Sequence, residues 1–324
     1  MTTVCAFVLT RNRKDLLVEC LQALLSQTHP VGQIIVFDNA SDDGTEVLLD
    51  QRGLLDRPEV DFHRSKVNLG GAGGYAEGVA RGVRSGADWL WLMDDDAEPH
   101  RDALEQMLAS PPGRDGATAV LCTAVRHPDG RIDPLHRCRL GRFVVALPET
   151  VYRPGSYADV PCASFVGFMI RTAVAREVGL PRAEFFLGYD DAEYSLRVRR
   201  HGAIRLVPEA TIVHKIVVGG GEATRRSRLW NRVLGQHYTS APWESFWKDL
   251  YRVRNFMVIK HARARLPTSA FIGLTAVYVI KSLLYDPRPL RRVPWIVRYA
   301  RKGRAGDFSG PSPEQWSRMA AGEA

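Results

Sequence analysis

The sequence predicts an α/β protein: a mostly parallel sheet flanked by helices, followed by a helical appendage. Three observations predict it. Between residues 4 and 93, short apolar runs alternate four times with stretches of helical spacing, the order in which a doubly wound sheet is built. The fourth run, Trp89-Leu90-Trp91-Leu92-Met93, ends directly in Asp94-Asp95-Asp96, as a buried strand does when it delivers charge to the sheet edge where ligands of open α/β sheets bind. Beyond residue 221 the composition turns basic and aromatic, with helical segments broken by prolines.

The elements follow in order. Residues 4–10 form a strand, then Arg11-Asn12-Arg13 precedes a helix whose Leu16, Leu17, Cys20, Leu21, Leu24 and Leu25 recur at helical spacing. Residues 33–38 are the second strand, closed by the turn formers and N-cap candidates of residues 39–45 ahead of another helix. Residues 60–64 supply a third strand, 72–85 a helix, 88–93 the fourth strand and 117–123 a fifth. Residues 124–160, rich in Pro, Gly, Arg and His, show no period and are expected to form a loop or hairpin region near the site. Residues 162–170 are apolar, 190–201 helical, and 204–207 and 211–213 are short strands leading to His214. Gly219-Gly220-Gly221 marks a flexible joint. Three helices are expected around residues 243–261, 269–284 and 293–301, separated by Pro267 and by Pro287 with Pro289. The tail from Ala305 is expected to be loosely ordered. The domain organisation read from this is 1–221, 222–304 and a tail, 305–324.

With 324 residues and 45% apolar composition the chain can bury a large core. No window reaches the roughly 20 uninterrupted apolar residues of a membrane span, and the N-terminus enters its first strand without a basic leader, so a cytoplasmic protein is expected. Five cysteines without a C-x-x-C pair point to buried thiols rather than disulfides or zinc. The net charge of +8 is uneven: residues 1–221 carry −4, 222–304 carry +14 and 305–324 carry −2. That basic excess implies an anionic partner, membrane phospholipid or a lipid-linked phosphate competing with nucleic acid. The apolar residues near 270–280 suit a helix lying in a membrane interface or a core helix of a small bundle.

Three adjacent carboxylates repel one another unless a hard divalent cation, shared with a substrate's phosphates, lies between them; an acidic loop or helix cap is the alternative. Residues 71–76 fit G-x-G-x-x-A, yet the motif follows the third strand rather than the first, and the next strand ends in an acidic triplet, so it does not read as a dinucleotide fingerprint. Its glycines suit backbone approach to phosphate at a helix start or close helix packing. Asp190 and Asp191 enter a helix and serve either as caps or as a general base. His214, at a strand end, completes a possible metal set or is a structural histidine.

Thr10-Arg11-Asn12-Arg13, Asp38-Asn39-Ala40-Ser41, Asn68 to Gly74, Trp91 to Asp96 and Tyr189 to Tyr194 stand in the order seen in family 2 glycosyltransferases of the GT-A fold, which the sequence resembles. The likeness is strongest to bacterial galactofuranosyltransferases, especially the actinobacterial enzymes that start the cell-wall galactan. Residues 86–91, Asp286-Pro287 and Trp295 carry it into the C-terminal helices. The resemblance implies a Rossmann-like GT-A sheet, donor contacts from Thr10, Arg11, Asp38, Asn68, Gly70, Gly71 and Asp95, and a Mn²⁺ or Mg²⁺ ion on Asp94, Asp96 and His214. It implies Asp191 as catalytic base, with Asp190 and Glu193 shaping the acceptor pocket.

The activity so implied is inverting transfer of galactofuranose from a UDP donor to a lipid-linked or cell-wall glycan. The expected setting is the inner face of the plasma membrane, through peripheral contact with anionic lipid. A dTDP-rhamnose-dependent rhamnosyltransferase is the near rival. A dehydrogenase reading the glycine loop and a nucleic-acid-binding protein using the Arg/Trp-rich C-terminus are the others; the expectation is that no nucleic acid is bound.

Overall fold

The first apolar run forms β1 (Val4–Thr10), with every residue buried. The computed structural model describes residues 2–215, 228–230, 232 and 240–322. The chain divides into two compact units, Met1–Ala183 with Asp190–Val217, and Glu184–Tyr189 with Val218–Ala324. The joint expected at Gly219-Gly220-Gly221 lies outside the described residues.

In the first unit, α1 (Lys14–Leu25), β2 (Gln33–Asp38), α2 (Thr45–Gln51), β3 (Val60–Arg64), α3 (Gly70–Arg84) and β4 (Trp89–Asp94) follow as expected. A short β5 (Ala97–Pro99) comes next, then α4 (Ala103–Ala109), α5 (Pro111–Arg114) and β6 (Thr118–Arg126). The aperiodic region holds a hairpin, β7 (Arg137–Leu140) with β8 (Val144–Ala146), and β7 also pairs β9 (Cys162–Ala163). Then come β10 (Phe168–Arg171), α6 (Thr172–Val178), α7 (Asp190–Val198) and β11 (Ala203–His214). The two short strands expected before His214 are this one strand, irregular between Val207 and Thr211.

The main sheet runs β3-β2-β1-β4-β10-β6-β11-β5. The four N-terminal strands are mutually parallel, as expected, and β6 pairs β11 in parallel. The sheet as a whole is mixed, because β10 is antiparallel to both neighbours and β5 to β11. Side chains of β4 alternate across it: Trp89, Trp91 and Met93 join the core with α1, while Leu90 and Leu92 join that with Tyr75 and Val79 of α3.

The glycines of α3 divide their work. Gly70 starts the helix with φ +71°, whereas a Cβ at Gly74, Gly78 or Gly82 would stand 2.4–2.5 Å from Leu9, Phe7 or Leu90. Close packing of helix on strand therefore accounts for three of them. All five cysteines are free and buried.

The second unit holds α8 (Trp247–Ala264), α9 (Thr268–Tyr285), α10 (Pro289–Ala305) and α11 (Pro313–Ala321). The last corrects the expectation of a loose tail. Ser312 caps it in a capping box with Gln315, Pro313 sits in its first turn, and Trp316, 1% exposed, enters a cluster with Phe246, Tyr251 and Tyr299. Part of the basic charge is spent on packing: Arg254 lies over Tyr251 at 4.4 Å and Arg292 over Phe246 at 4.5 Å. The 18 residues of α9 have a mean hydropathy of 1.4 and are 22% buried. By length and composition alone it is long and apolar enough to cross a membrane, extending on both sides of the apolar residues near 270–280.

Candidate active site

The C-terminal ends of β1, β2 and β4 lie side by side, with Thr10 paired to Asp38 and Leu9 to Asp94. This register sets Thr10 and Arg11 against the acidic triplet. Asp95, 2% exposed, accepts from Thr10 Oγ1 at 2.8 Å and from the Arg11 backbone N–H at 3.3 Å. The guanidinium that reaches the triplet is that of Arg13, 3.2 Å from Asp95 and 3.0 Å from Asp96, while the Arg11 side chain is exposed. Burial pushes the Asp95 carboxyl up to about 7, against the pull of Arg13 and Thr10.

Asp96 is 3% exposed. Burial acts against its charge, yet His214 and Arg13 together hold its carboxyl below the usual range. Asp94 accepts from the Tyr75 hydroxyl at 2.6 Å; burial, then the charge of Asp96, raises its carboxyl. His214 arrives because β5, turning back just after the triplet, pairs with the end of β11 so that His214 faces Ala97. Its Nε2 lies 3.2 Å from Asp96 Oδ1.

Asp94, Asp96 and His214 each offer a ligand atom within 4.8 Å of the others. Among the described residues the buried His214 Nδ1 has no hydrogen-bond partner, and Asp96 Oδ1 has the contact with His214 Nε2 as its polar neighbour. Two carboxylates and an imidazole converging in this way fit a divalent cation.

Asp191 joins this edge electrostatically. Burial, aided by the charge of Asp94, raises it to about 6, although it accepts the Ala192 backbone N–H at 2.6 Å. Asp190 is 7% exposed. Glu193 is engaged elsewhere, chelated by Arg197 at 2.9 Å, which also binds the carbonyls of Val178 and Leu180.

The remaining predicted residues form a second polar group at the end of β2. Asp38 Oδ1 accepts the Ser41 N–H at 2.8 Å, and its Oδ2 is 3.5 Å from Arg64. Asn68 Oδ1 accepts from Gly70 N–H at 2.9 Å and from Asn39 Nδ2 at 3.2 Å. Gly71, half-buried, follows in the first turn of α3. Sequence reasoning missed Arg13, Tyr75 and Asn39; His136, outside the Asp94–Asp96–His214 set, was also unmarked, and its ring meets that of His214 at 4.8 Å. Arg13 and Asn39 stood within quoted motifs; nothing local marks Tyr75 or His136.

An acidic, cation-ready edge beside parallel strand ends is the arrangement of an enzyme that handles a phosphorylated leaving group. Residues 5–179 match glycosyl transferase family 2, and the chain belongs to that family. Galactofuranosyltransferase GlfT1 of Mycolicibacterium smegmatis is 30% identical over 229 residues, 67% of this chain and 74% of that protein. GlfT1 of Mycobacterium tuberculosis is 27% identical over 317 residues, 95% and 98% of the two chains. Among solved structures, GalNAc-T7 with UDP, GalNAc and Mn²⁺ aligns with a TM-score of 0.57 at 16% identity, covering 82% of this chain and 52% of that one. Staphylococcus aureus TarS 1–349 in complex with UDP-GlcNAc aligns at 0.51 and 13%, covering 99% and 92%. These likenesses show the fold: a helix-flanked GT-A sheet in a family 2 glycosyltransferase.

Proposed function

We propose that this enzyme transfers galactofuranose from UDP-galactofuranose to a lipid-linked or cell-wall glycan, with inversion. The observation that carries the reading is the convergence of Asp94, Asp96 and His214 at one strand edge, in a chain matched over 95% of its length by a galactofuranosyltransferase. Those three residues would hold Mn²⁺ or Mg²⁺, and the imidazole favours Mn²⁺. Such an ion, when bound, stabilises the negative charge developing on a departing diphosphate.

The chain's own groups supply the rest. Asp95, braced by Thr10 and Arg13, faces the donor, and Arg11, Asp38, Asn68, Gly70 and Gly71 line the nucleotide side. Asp191 takes the proton of the acceptor hydroxyl; a carboxylate titrating near 6 is ionised at neutral pH and more basic than an ordinary one. One base acting opposite the leaving group gives a single displacement. Asp190 and Glu193 shape the acceptor side, Glu193 through its pairing with Arg197.

Residues 1–221 carry the donor and the chemistry in this reading, and residues 222–304 the acceptor's lipid phosphate and an anionic membrane at the cytoplasmic face. Support comes from the exposed Ile272 and Ile280 of α9, 59% and 53% accessible, near a strongly basic α10. Incubating the protein and Mn²⁺ with UDP-galactofuranose or dTDP-rhamnose tests the donor. Turnover only with dTDP-rhamnose would refute the assignment.

A further inference from the structure

His214 belongs to two groups. Besides Asp94 and Asp96, it stands with Asp133 and His136, and the ligand atoms of this second set also lie within 4.8 Å of one another. Asp133 Oδ2 is 3.3 Å from His136 Nε2 and 3.8 Å from His127 Nδ1. His136 Nδ1 is 2.7 Å from Ser164 Oγ, and its ring meets His214 edge to face. Asp133 and His214 are 9% and 7% exposed, and the His136 side chain 13%.

An aspartate holding one histidine is commonly a structural pair. Here a third and a fourth group crowd the same carboxylate, and the buried Nδ1 atoms of His127 and His214 have no hydrogen-bond partner among the described residues. A carboxylate and two imidazoles, with Asp133 and His136 three residues apart on a rigid turn whose Asp133 accepts the Leu135 N–H, are a donor set suited to zinc rather than magnesium.

A neutral imidazole has one N–H and one lone pair, so His214 serves a single ion whichever nitrogen it offers. We propose that Asp133, His136 and His214 form a second transition-metal site that takes Zn²⁺ and, by capturing His214, opposes cation binding at Asp94 and Asp96. The site is thereby inhibitory. The opposition rests on the reading of His214 as a ligand of the first site; the Zn²⁺ site itself does not.

The test is calorimetric titration of the full-length protein with Zn²⁺ alone, with Co²⁺ absorption as a report of coordination, alongside Mn²⁺-dependent UDP binding. Wild type should bind one Zn²⁺ at this site, and His136→Ala, which removes a ligand, should weaken that binding by about 10²-fold or more, at or beyond the roughly 10- to 100-fold that loss of a ligand's supporting partner costs. His136→Ala should keep Mn²⁺-dependent UDP binding, whereas Asp94→Ala should lose it and keep Zn²⁺. Preloaded Zn²⁺ should raise the Mn²⁺ concentration needed for UDP binding in wild type, not in His136→Ala. If His136→Ala lowers the melting temperature, the isosteric Asp133→Asn carries the same expectation. Unchanged Zn²⁺ affinity in these variants, loss of Zn²⁺ binding in Asp94→Ala, or no competition with Mn²⁺ overturns the proposal. Absence of Mn²⁺-dependent UDP binding by wild type would remove the first site, while the Zn²⁺ titration still decides the second.

Discussion

His214 Nε2 lies 3.2 Å from Asp96 Oδ1, and the two are joined by the short strand Ala97–Pro99, which pairs with the end of β11. One sheet edge thus fixes both an acidic strand end and an imidazole from far along the chain. His214→Ala should weaken Mn²⁺ affinity by about 10- to 100-fold or more, read by electron paramagnetic resonance of free Mn²⁺. Unaltered affinity would return His214 to a structural role.

Tyr75 donates to Asp94 at 2.6 Å and packs against Phe165 at 4.3 Å. Tyr75→Phe keeps the ring and removes the hydroxyl. It should lower Mn²⁺ affinity by about 10-fold while leaving the melting temperature near that of wild type. Wild-type metal dependence would show that Asp94 needs no such brace.

Desolvation, aided by the charge of Asp94, pushes the half-buried Asp191 carboxyl up to about 6. With Asp191 as the proposed base, the protonated form that cannot take up the acceptor's proton accumulates as pH falls through about 6, about two units above an ordinary aspartate. The pH profile of kcat should therefore decline below about 6, and Asp191→Asn should reduce turnover by about 10²-fold or more with UDP binding retained. A profile flat down to pH 4.5, or a fully active Asp191→Asn, would place the base elsewhere.

Gly78 leaves 2.5 Å between an added Cβ and the ring of Phe7, which is 0% exposed. Gly78→Val should destabilise the first unit by about 1–3 kcal/mol through overpacking, measured by denaturant unfolding. Gly273, with open space around it on α9, should instead gain about 0.5–1 kcal/mol on change to Ala. A neutral Gly78→Val would mean that the glycines of α3 serve ligand approach rather than packing.

The strands that build the site were legible because their apolar runs end abruptly in charge, at Thr10-Arg11, Asp38 and Asp94. The order of the sheet was less so. Its antiparallel member, Phe168–Arg171, and the three-residue Ala97–Pro99 owe their places to pairing across long stretches of chain, and neither shows a period of its own. The helix Pro313–Ala321 was written in Ser312-Pro313-Glu314-Gln315, a capping signal inside a polar tail. Within the site, carboxylates announced themselves by clustering. Tyr75 and His136 did not, since an α3 glycine repeat and a loop without periodicity say nothing about which carboxylate or imidazole each will meet. Arg11 meets Asp95 through its backbone N–H, and the guanidinium at the triplet is that of Arg13, two residues on.

The central claim is that Asp94, Asp96 and His214 hold the ion that serves a UDP-galactofuranose donor. Its most direct test is release of UDP from UDP-galactofuranose, with and without an acceptor glycan, by wild type and Asp96→Ala, in Mn²⁺ and after chelation. The account predicts turnover by wild type in Mn²⁺ alone, lost on chelation and lost in Asp96→Ala. Turnover that survives chelation, or an Asp96→Ala enzyme as active as wild type, would contradict it.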